Sequence, residues 1–308
     1  MIKHYYSNAR ARSLEILDAP KTGSWCHVVE PTHEELEKLV ELFSLDLDLL
    51  KDAIDIYEAP RVEISEVSTY VFTRYCYPEG KDIATEPLLI IYTPDNIVTV
   101  MRRGHEVLDQ IINGKVEILT TQRTKIFLRI LEQINHSYRL QLNQVSKRVL
   151  QIRSKLRQSE ITNFEFVSFI ELEEDLNEFL TALQPQSAVL VSLRTGRYMK
   201  LYEDDQDLIE DLTLNTTELI ELTKSRLRTL VNIRQAYDTI ATNNLNKTFK
   251  RLTSIGIFLT VPMISAGFWG MNVAVPIHDY EHAFSIVVIA TALVTFITVY
   301  YFHKKHWL

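Results

Sequence analysis

The stretch "LTSIGIFLTVPMISAGFWGMNVAVPIHDYEHAFSIVVIATALVTFITVYYF", Leu252 to Phe302, decides the architecture. Two runs without a charged residue, Leu252–Trp269 and Ala283–Phe302, flank a polar break at Gly270-Met271-Asn272. Helices of about 18 and about 20 residues can cross a hydrocarbon layer roughly 30 Å thick. So short a connection lets the chain only turn and come straight back. A transmembrane hairpin is the expected result.

Charge on either side sets its direction. Lys247, Lys250 and Arg251 precede the first run, and Lys304 and Lys305 follow the second. The connection carries Asp279 and Glu281 but no Lys or Arg. Basic residues stay on the cytoplasmic side, so both termini are expected there and the break outside. Tyr300, Tyr301 and Trp307 suit the interface at the last boundary. The opening "MIKHYYSNARARSLE" lacks the apolar core of a secretory signal, so about 240 residues are expected in the cytoplasm.

The two runs differ in kind. The second is bulky and aliphatic and suits lipid. The first contains Thr253, Ser254, Gly256, Thr260, Pro262, Ser265 and Gly267. Stepping by threes and fours from Asn246 gives Phe249, Leu252 or Thr253, Gly256, Thr260, Met263 and Gly267. That face is mostly small or polar and calls for other helices or for water rather than lipid. It either packs tightly or lines a pore, and a pore needs several copies, because one hairpin encloses nothing.

Upstream, Arg197 to Ile255 contains neither Gly nor Pro. One helix of that length would run roughly 90 Å. Leu219, Leu222, Leu230, Ile233, Tyr237 and Ile240 recur at helical spacing and give it one apolar stripe. Such a helix needs partners, from its own chain or from copies of itself. Before it, "LQPQSAVLVSLRTGRYM" contains Pro185 and Gly196 and reads as a break. Lys115 to Gln184 is again free of Gly and Pro, with a turn expected near Ser159 to Phe164 between two long helices. On the second of these, Glu171, Glu173, Glu174, Asp175 and Glu178 form either a solvated acidic face or a cation-sensing one.

The front of the chain alternates element types. "SWCHVV", "YVFTRYCY", "PLLIIYT" and "NIVTVM" read as strands bounded by Gly80, Pro87, Pro94 and Asp95. "EPTHEELEKLVELF" reads as a helix with Thr32 as N-cap and Glu35 completing a capping box. The expected fold is α+β in four parts. These are an α/β domain at 1–115, long antiparallel helices at 116–200, a stalk helix at 201–251 and the hairpin at 252–308.

Composition narrows the function. The 308 residues carry a net charge of −7, which argues against nucleic acid as a partner. Cys26 and Cys76 are the only cysteines, too few for a disulfide framework or a thiolate metal site. No Walker loop, His-Glu-x-x-His or Gly-x-Ser-x-Gly occurs, so an enzyme is the weakest reading. Asn135-His136-Ser137, Asn215-Thr216-Thr217 and Asn246-Lys247-Thr248 match the glycosylation pattern but are expected inside.

Gly270-Met271-Asn272 after the first of two C-terminal spans resembles the GMN signature of CorA-type magnesium channels. The whole layout agrees, most closely from about Leu201 to Leu308, down to the basic "HKKHWL" tail. "APRVEI" (Ala59 to Ile64) resembles a stretch often seen in that family. The resemblance implies a homopentameric funnel in the cell (inner) membrane, with Mg²⁺ both as the ion carried and as the cytosolic regulator. It implies that Asn272 and Gly270 meet the hydrated ion with Met271 beside them. It further implies that Asn246 forms a second polar ring, and that Leu252 and Thr260 to Met263 form constrictions. The apolar stripe of the stalk would then line the channel. Asp211, in the run "EDDQDLIED", falls where the family has a regulatory acid, with Glu79 and Asp82 as candidate partners. Asp279 and Glu281 would concentrate cations at the outer mouth.

Two departures stand out: Trp269 where the family more often has Tyr, and a loop without its common Met-Pro-Glu run. That loop instead offers His278 and His282, four apart, which suit a softer metal such as Zn²⁺, Co²⁺ or Ni²⁺. A proton-coupled zinc transporter and a non-conducting membrane-anchored sensor or scaffold are therefore the alternatives.

Overall fold

The β-branched and aromatic runs of the first hundred residues join in one seven-stranded sheet. The strands are β1 (Ile2–Tyr6), β2 (Glu15–Leu17), β3 (Trp25–Val29), β4 (Arg61–Ser65), β5 (Ser68–Glu79), β6 (Asp82–Tyr92) and β7 (Ile97–Met101). Their order is β2-β1-β3-β7-β6-β5-β4. Only β3 and β7 run parallel; the other pairs are antiparallel. The computed structural model describes residues 1–308 apart from 10–12, 81, 158–162, 274, 275, 278 and 306–308. It divides into two units, Met1–Ile233 and Arg234–Leu308.

In the first unit both faces of the sheet are covered, which is why its central strands read as unbroken apolar runs. Side chains alternate across it with the period of two that a strand imposes. Val28, Tyr70, Phe72, Leu89 and Val98 pack with Leu36, Leu39 and Leu50 of α1 (His33–Phe43) and α2 (Leu47–Asp52). Trp25, Val71, Leu88, Ile90 and Met101 face the other way. A short α3 (Asp109–Ile112) then leads to α4 (Arg123–Arg157) and α5 (Asn163–Leu193), which cover that second face through Phe127, Ile134, Phe169 and Phe179. The capping box is present: Glu35 donates its amide to Thr32 Oγ1 at 3.3 Å, and Glu35 Oε2 accepts the Thr32 amide at 3.1 Å. Arg61 of the "APRVEI" stretch stacks on Phe72 at 4.0 Å and pairs with Asp52, Glu58 and Glu63.

Two prolines do not break the chain as the sequence suggests. Pro87 lies inside β6, opposite Arg74. β7 pairs with β6 only from Leu88 onward, so Asp82 to Pro87 has no strand on that side. Ile83 and Thr85 direct their amides there, and strand alternation puts Pro87 in the same row, where its missing N–H costs no ladder bond. Pro185 lies inside α5, and the helix ends only beyond Leu193, before Gly196. Burial of Leu183, Gln186 and Leu190 around it holds the helix together across the missing hydrogen bond.

The acidic face of α5 is not simply solvated. Asp175 Oδ1 accepts the Ile83 amide at 3.2 Å, and Glu178 Oε1 accepts the Thr85 amide at 2.8 Å. Two carboxylates thus satisfy the β6 edge that no strand covers. The expected turn at Ser159 to Phe164 falls largely outside the described residues.

α6 (Glu203–Trp269) begins in the first unit. There Leu219, Leu230 and Ile233 are buried in the chain's own core. This corrects the expectation that the stripe lines a channel: up to Ile233 every member but Leu222 is covered by this chain. Leu222 is exposed, and beyond the core so is Ile240.

The second unit holds the rest of α6 and α7 (Ala283–Lys304). Both helices are long and apolar enough to cross a membrane. α6 continues through Gly256 and Pro262. Within the span, Ser254, Thr260 and Ser265 donate their hydroxyls into their own helix, as Ser254 does to the Lys250 carbonyl at 2.8 Å, so these three donors are satisfied in an apolar surrounding.

Candidate functional site

In the second unit, the first span has two unlike sides. The side toward α7 includes Ser254, which is fully buried, and Phe258, whose ring meets Phe302 edge-on at 5.6 Å. Val261, Ser265 and Trp269 follow at half-buried positions. Higher up, Pro262, Ser265, Ala266 and Trp269 face Phe284, Val288 and Thr291 of α7 across an apolar groove.

The other side carries Asn246, Phe249, Leu252, Thr253, Gly256, Thr260, Met263 and Gly267, and every one of them is exposed. A Cβ added to Gly256 or Gly267 would meet nothing within 4 Å. Rotating about 100° per residue puts Ile255 and Leu259 along one flank of this strip and Ile264 and Phe268 along the other. Those four are exposed as well. Small and polar groups therefore run down the middle of an uncovered face, with apolar groups on both sides.

The polar atoms on this strip are prepared to accept hydrogen bonds. Thr260 Oγ1 donates to the Gly256 carbonyl at 2.8 Å. Its only proton is engaged, and its lone pairs are left for an outside donor.

The strip ends where the helix does. α6 stops at Trp269, and the Gly270 amide still donates to the Ala266 carbonyl at 2.9 Å. A Cβ on Gly270 would come within 3.1 Å of that oxygen, so a residue without one fits best. Met271 and Asn272 follow, both exposed. Asp279, Glu281 and His282 are exposed in the connection, and the Ala283 amide bonds to the Tyr280 carbonyl at 2.9 Å as α7 begins. His278, the other half of the candidate histidine pair, lies outside the described residues.

The acids of the first unit sort into different roles. Asp205 reaches back from the first turn of α6 to accept the Tyr202 amide at 3.1 Å, half of a capping box. Asp204 faces Lys125 at 3.9 Å, and Glu79 pairs with Arg103 at 3.0 Å. Asp211 is exposed. Among the described residues, no three His, Cys, Asp or Glu side chains come together as a metal site within the chain. Sequence reasoning missed Ser254 as the buried contact toward α7, although its helical offset from the Thr253–Thr260 face was available.

The cobalt/magnesium transport protein CorA of Methanocaldococcus jannaschii is 24% identical over 294 residues, covering 92% of this chain and 91% of that protein. The complete structure of the CorA magnesium transporter from the same organism superposes with a TM-score of 0.88 at 21% identity, over 100% of this chain and 99% of that one. The full-length CmaX protein gives 0.76 at 17% identity, over 99% and 97%. The family described as CorA-like Mg²⁺ transporter protein matches residues 20–304. With two helices fit to span a membrane and almost its whole length matched, this chain belongs to the CorA family of divalent-cation transporters.

Proposed function

We propose that the chain is one protomer of a homopentameric channel that admits Mg²⁺ passively across the cell membrane and closes when cytosolic Mg²⁺ is plentiful. The observation that carries this reading is the uncovered strip from Asn246 to Gly267, which leads to Gly270, Met271 and Asn272. Copies arranged about an axis would turn that strip inward and bury its apolar flanks on one another. Mg²⁺ gives up its water reluctantly and prefers an octahedral oxygen shell. The Asn272 amide oxygen, the Gly270 carbonyl and Thr260 Oγ1 are neutral acceptors that can hold such a shell by its protons without stripping it. Leu252 and Met263 would narrow the path and stop conduction by drying it. Phe249 and Asn246 would line the cytosolic end, and Asp279 and Glu281 would gather cations outside. Co²⁺ and Ni²⁺ carry similar shells and would follow. The termini would be cytoplasmic, as the basic residues at both inner ends indicate.

Asp211 is exposed, and among the described residues no group of three His, Cys, Asp or Glu side chains gathers around it within its own chain. A regulatory Mg²⁺ there would take its remaining ligands from a neighbouring protomer. Filling such sites would hold acidic protomers together, and emptying them would favour opening.

Flux into proteoliposomes tests the reading. Wild type should pass Mg²⁺ without a pH gradient. Asn272→Ala should lose flux by about tenfold or more, a change of about 1.4 kcal/mol, with the oligomer intact. Zn²⁺ flux that needs a proton gradient, with no Mg²⁺ flux, would identify the zinc transporter instead. Unaltered behaviour of Asn272→Ala would favour the non-conducting scaffold.

A further inference from the structure

Four polar side chains, far apart in sequence, meet in the interior of the first unit. Thr73 of β5, Gln186 of α5, Asn135 of α4 and Thr216 of α6 are 2%, 1%, 6% and 0% exposed. Thr73 Oγ1 donates to Gln186 Oε1 at 2.9 Å, and Gln186 Nε2 donates to Asn135 Oδ1 at 3.0 Å. Asn135 Nδ2 donates to Thr216 Oγ1 at 2.8 Å and reaches the Leu212 carbonyl at 3.4 Å. Thr216 Oγ1 donates to that same carbonyl at 2.8 Å.

The chain has one polarity, and each link fixes the next. Since the Thr216 proton goes to Leu212, Thr216 can only accept from Asn135, which orients the Asn135 amide. That amide then presents its oxygen to Gln186, and Gln186 presents its own to Thr73. A sheet strand is thus tied through two helices to the helix that becomes the first span. Ordinary apolar packing tolerates small rotations of a helix. This chain does not, because turning or sliding α6 by one residue removes the acceptor at Thr216 and leaves buried amide protons without a partner.

We propose that Asn135 and Gln186 are positioning residues for transport: they fix the rotation of the first-unit part of α6 about its axis, and with it the dependence of transport on internal Mg²⁺. The transport part of this inference rests on the channel reading above.

The test replaces the whole chain with apolar groups of similar shape, in Thr73→Val/Asn135→Leu/Gln186→Leu/Thr216→Val, so that no partner is left unsatisfied. Thr216→Val alone is a second variant that cuts one link and leaves the Asn135 amide only the Leu212 carbonyl at 3.4 Å, and Thr216→Ser restores the hydroxyl. Two quantities are read on full-length protein: hydrogen exchange of α6 amides from Ile209 to Thr223, and the internal Mg²⁺ that halves Mg²⁺ flux in proteoliposomes. The four-fold variant should keep its unfolding midpoint, exchange faster along that stretch, and shift half-inhibition by about threefold or more. Thr216→Val should move both quantities in the same direction, and Thr216→Ser should match wild type. Unchanged exchange and unchanged Mg²⁺ dependence in a folded variant would overturn the proposal. Faster exchange with unchanged Mg²⁺ dependence would leave a rigid tie and overturn its role in transport. If wild type itself passes no Mg²⁺, the channel reading fails, while the exchange measurement still decides whether the chain fixes α6.

Discussion

Asp175 is 4% exposed, with Oδ1 on the Ile83 amide at 3.2 Å and Oδ2 facing Arg148 at 3.5 Å. Burial pushes its pKa up from 3.8 to about 6; the nearby Asp82 and Glu178 add to this, against the opposing effects of the Ile83 amide and Arg148. A raised folded pKa means that the native state binds the proton more tightly than the unfolded chain does. The resulting stability is full below the ordinary carboxylate pKa and is lost as pH rises through about 6. Asp175→Asn keeps an oxygen for Ile83 and cannot ionise. It should be more stable than wild type by about 1–2 kcal/mol at pH 7.5, with the difference vanishing near pH 4. Urea midpoints at the two pH values check this. A lower midpoint for the variant at pH 7.5 would mean that the Arg148 pair outweighs the burial. Nothing in "FIELEEDLNEF" separates Asp175 from Glu173 or Glu174, because their difference is made by a strand about 90 residues earlier that α5 happens to cover.

At the scale of elements, local signals were readable and distant ones were not. The capping box at Thr32 and Glu35 involves neighbours three residues apart, and it is present. β1, β2 and β4 went unread because strands of five, three and five residues, largely exposed or half-buried, carry no long apolar run of their own. Pro87 and Pro185 misled because a proline breaks an element only where its amide is needed or its ring is crowded. Nothing in the sequence links Thr73, Asn135, Gln186 and Thr216; separations of 113, 51 and 81 positions hide their chain. The face of the first span, in contrast, follows from helical period alone. Gly256 has open space around it in the single chain. Gly256→Leu should therefore leave the hairpin itself intact and even raise helix propensity by about 1 kcal/mol. In an assembly whose copies face one another across that strip, it should cut Mg²⁺ flux by about tenfold or more. Undiminished flux in proteoliposomes would place Gly256 toward lipid and remove the strip from the ion path.

The whole molecule carries a net charge of −7, and copies of an acidic chain repel one another unless cations lie between them. Arg139 engages Glu218 at 2.8 Å and Lys224 engages Glu221 at 2.8 Å, so part of the α6 acidity is neutralised within the chain. Asp211 is exposed on the same helix, and among the described residues of one protomer no metal-binding cluster forms around it. If neighbouring protomers complete a Mg²⁺ site there, the ion binds only the assembled native state. Its stabilisation then follows mass action: about 2.7 kcal/mol per site when Mg²⁺ stands at a hundred times its Kd. The unfolding midpoint of the wild-type oligomer should rise with Mg²⁺. The rise should shrink on dilution into monomers, since half of the ligand set leaves with the partner. Asp211→Asn should remove most of the rise while leaving the midpoint without Mg²⁺ equal to or above that of wild type, because one repelling charge per protomer is gone. Thermal unfolding of both proteins across a Mg²⁺ titration, at two protein concentrations, measures all three effects. A Mg²⁺ response that survives in Asp211→Asn, or that ignores protein concentration, would locate the regulatory ion elsewhere.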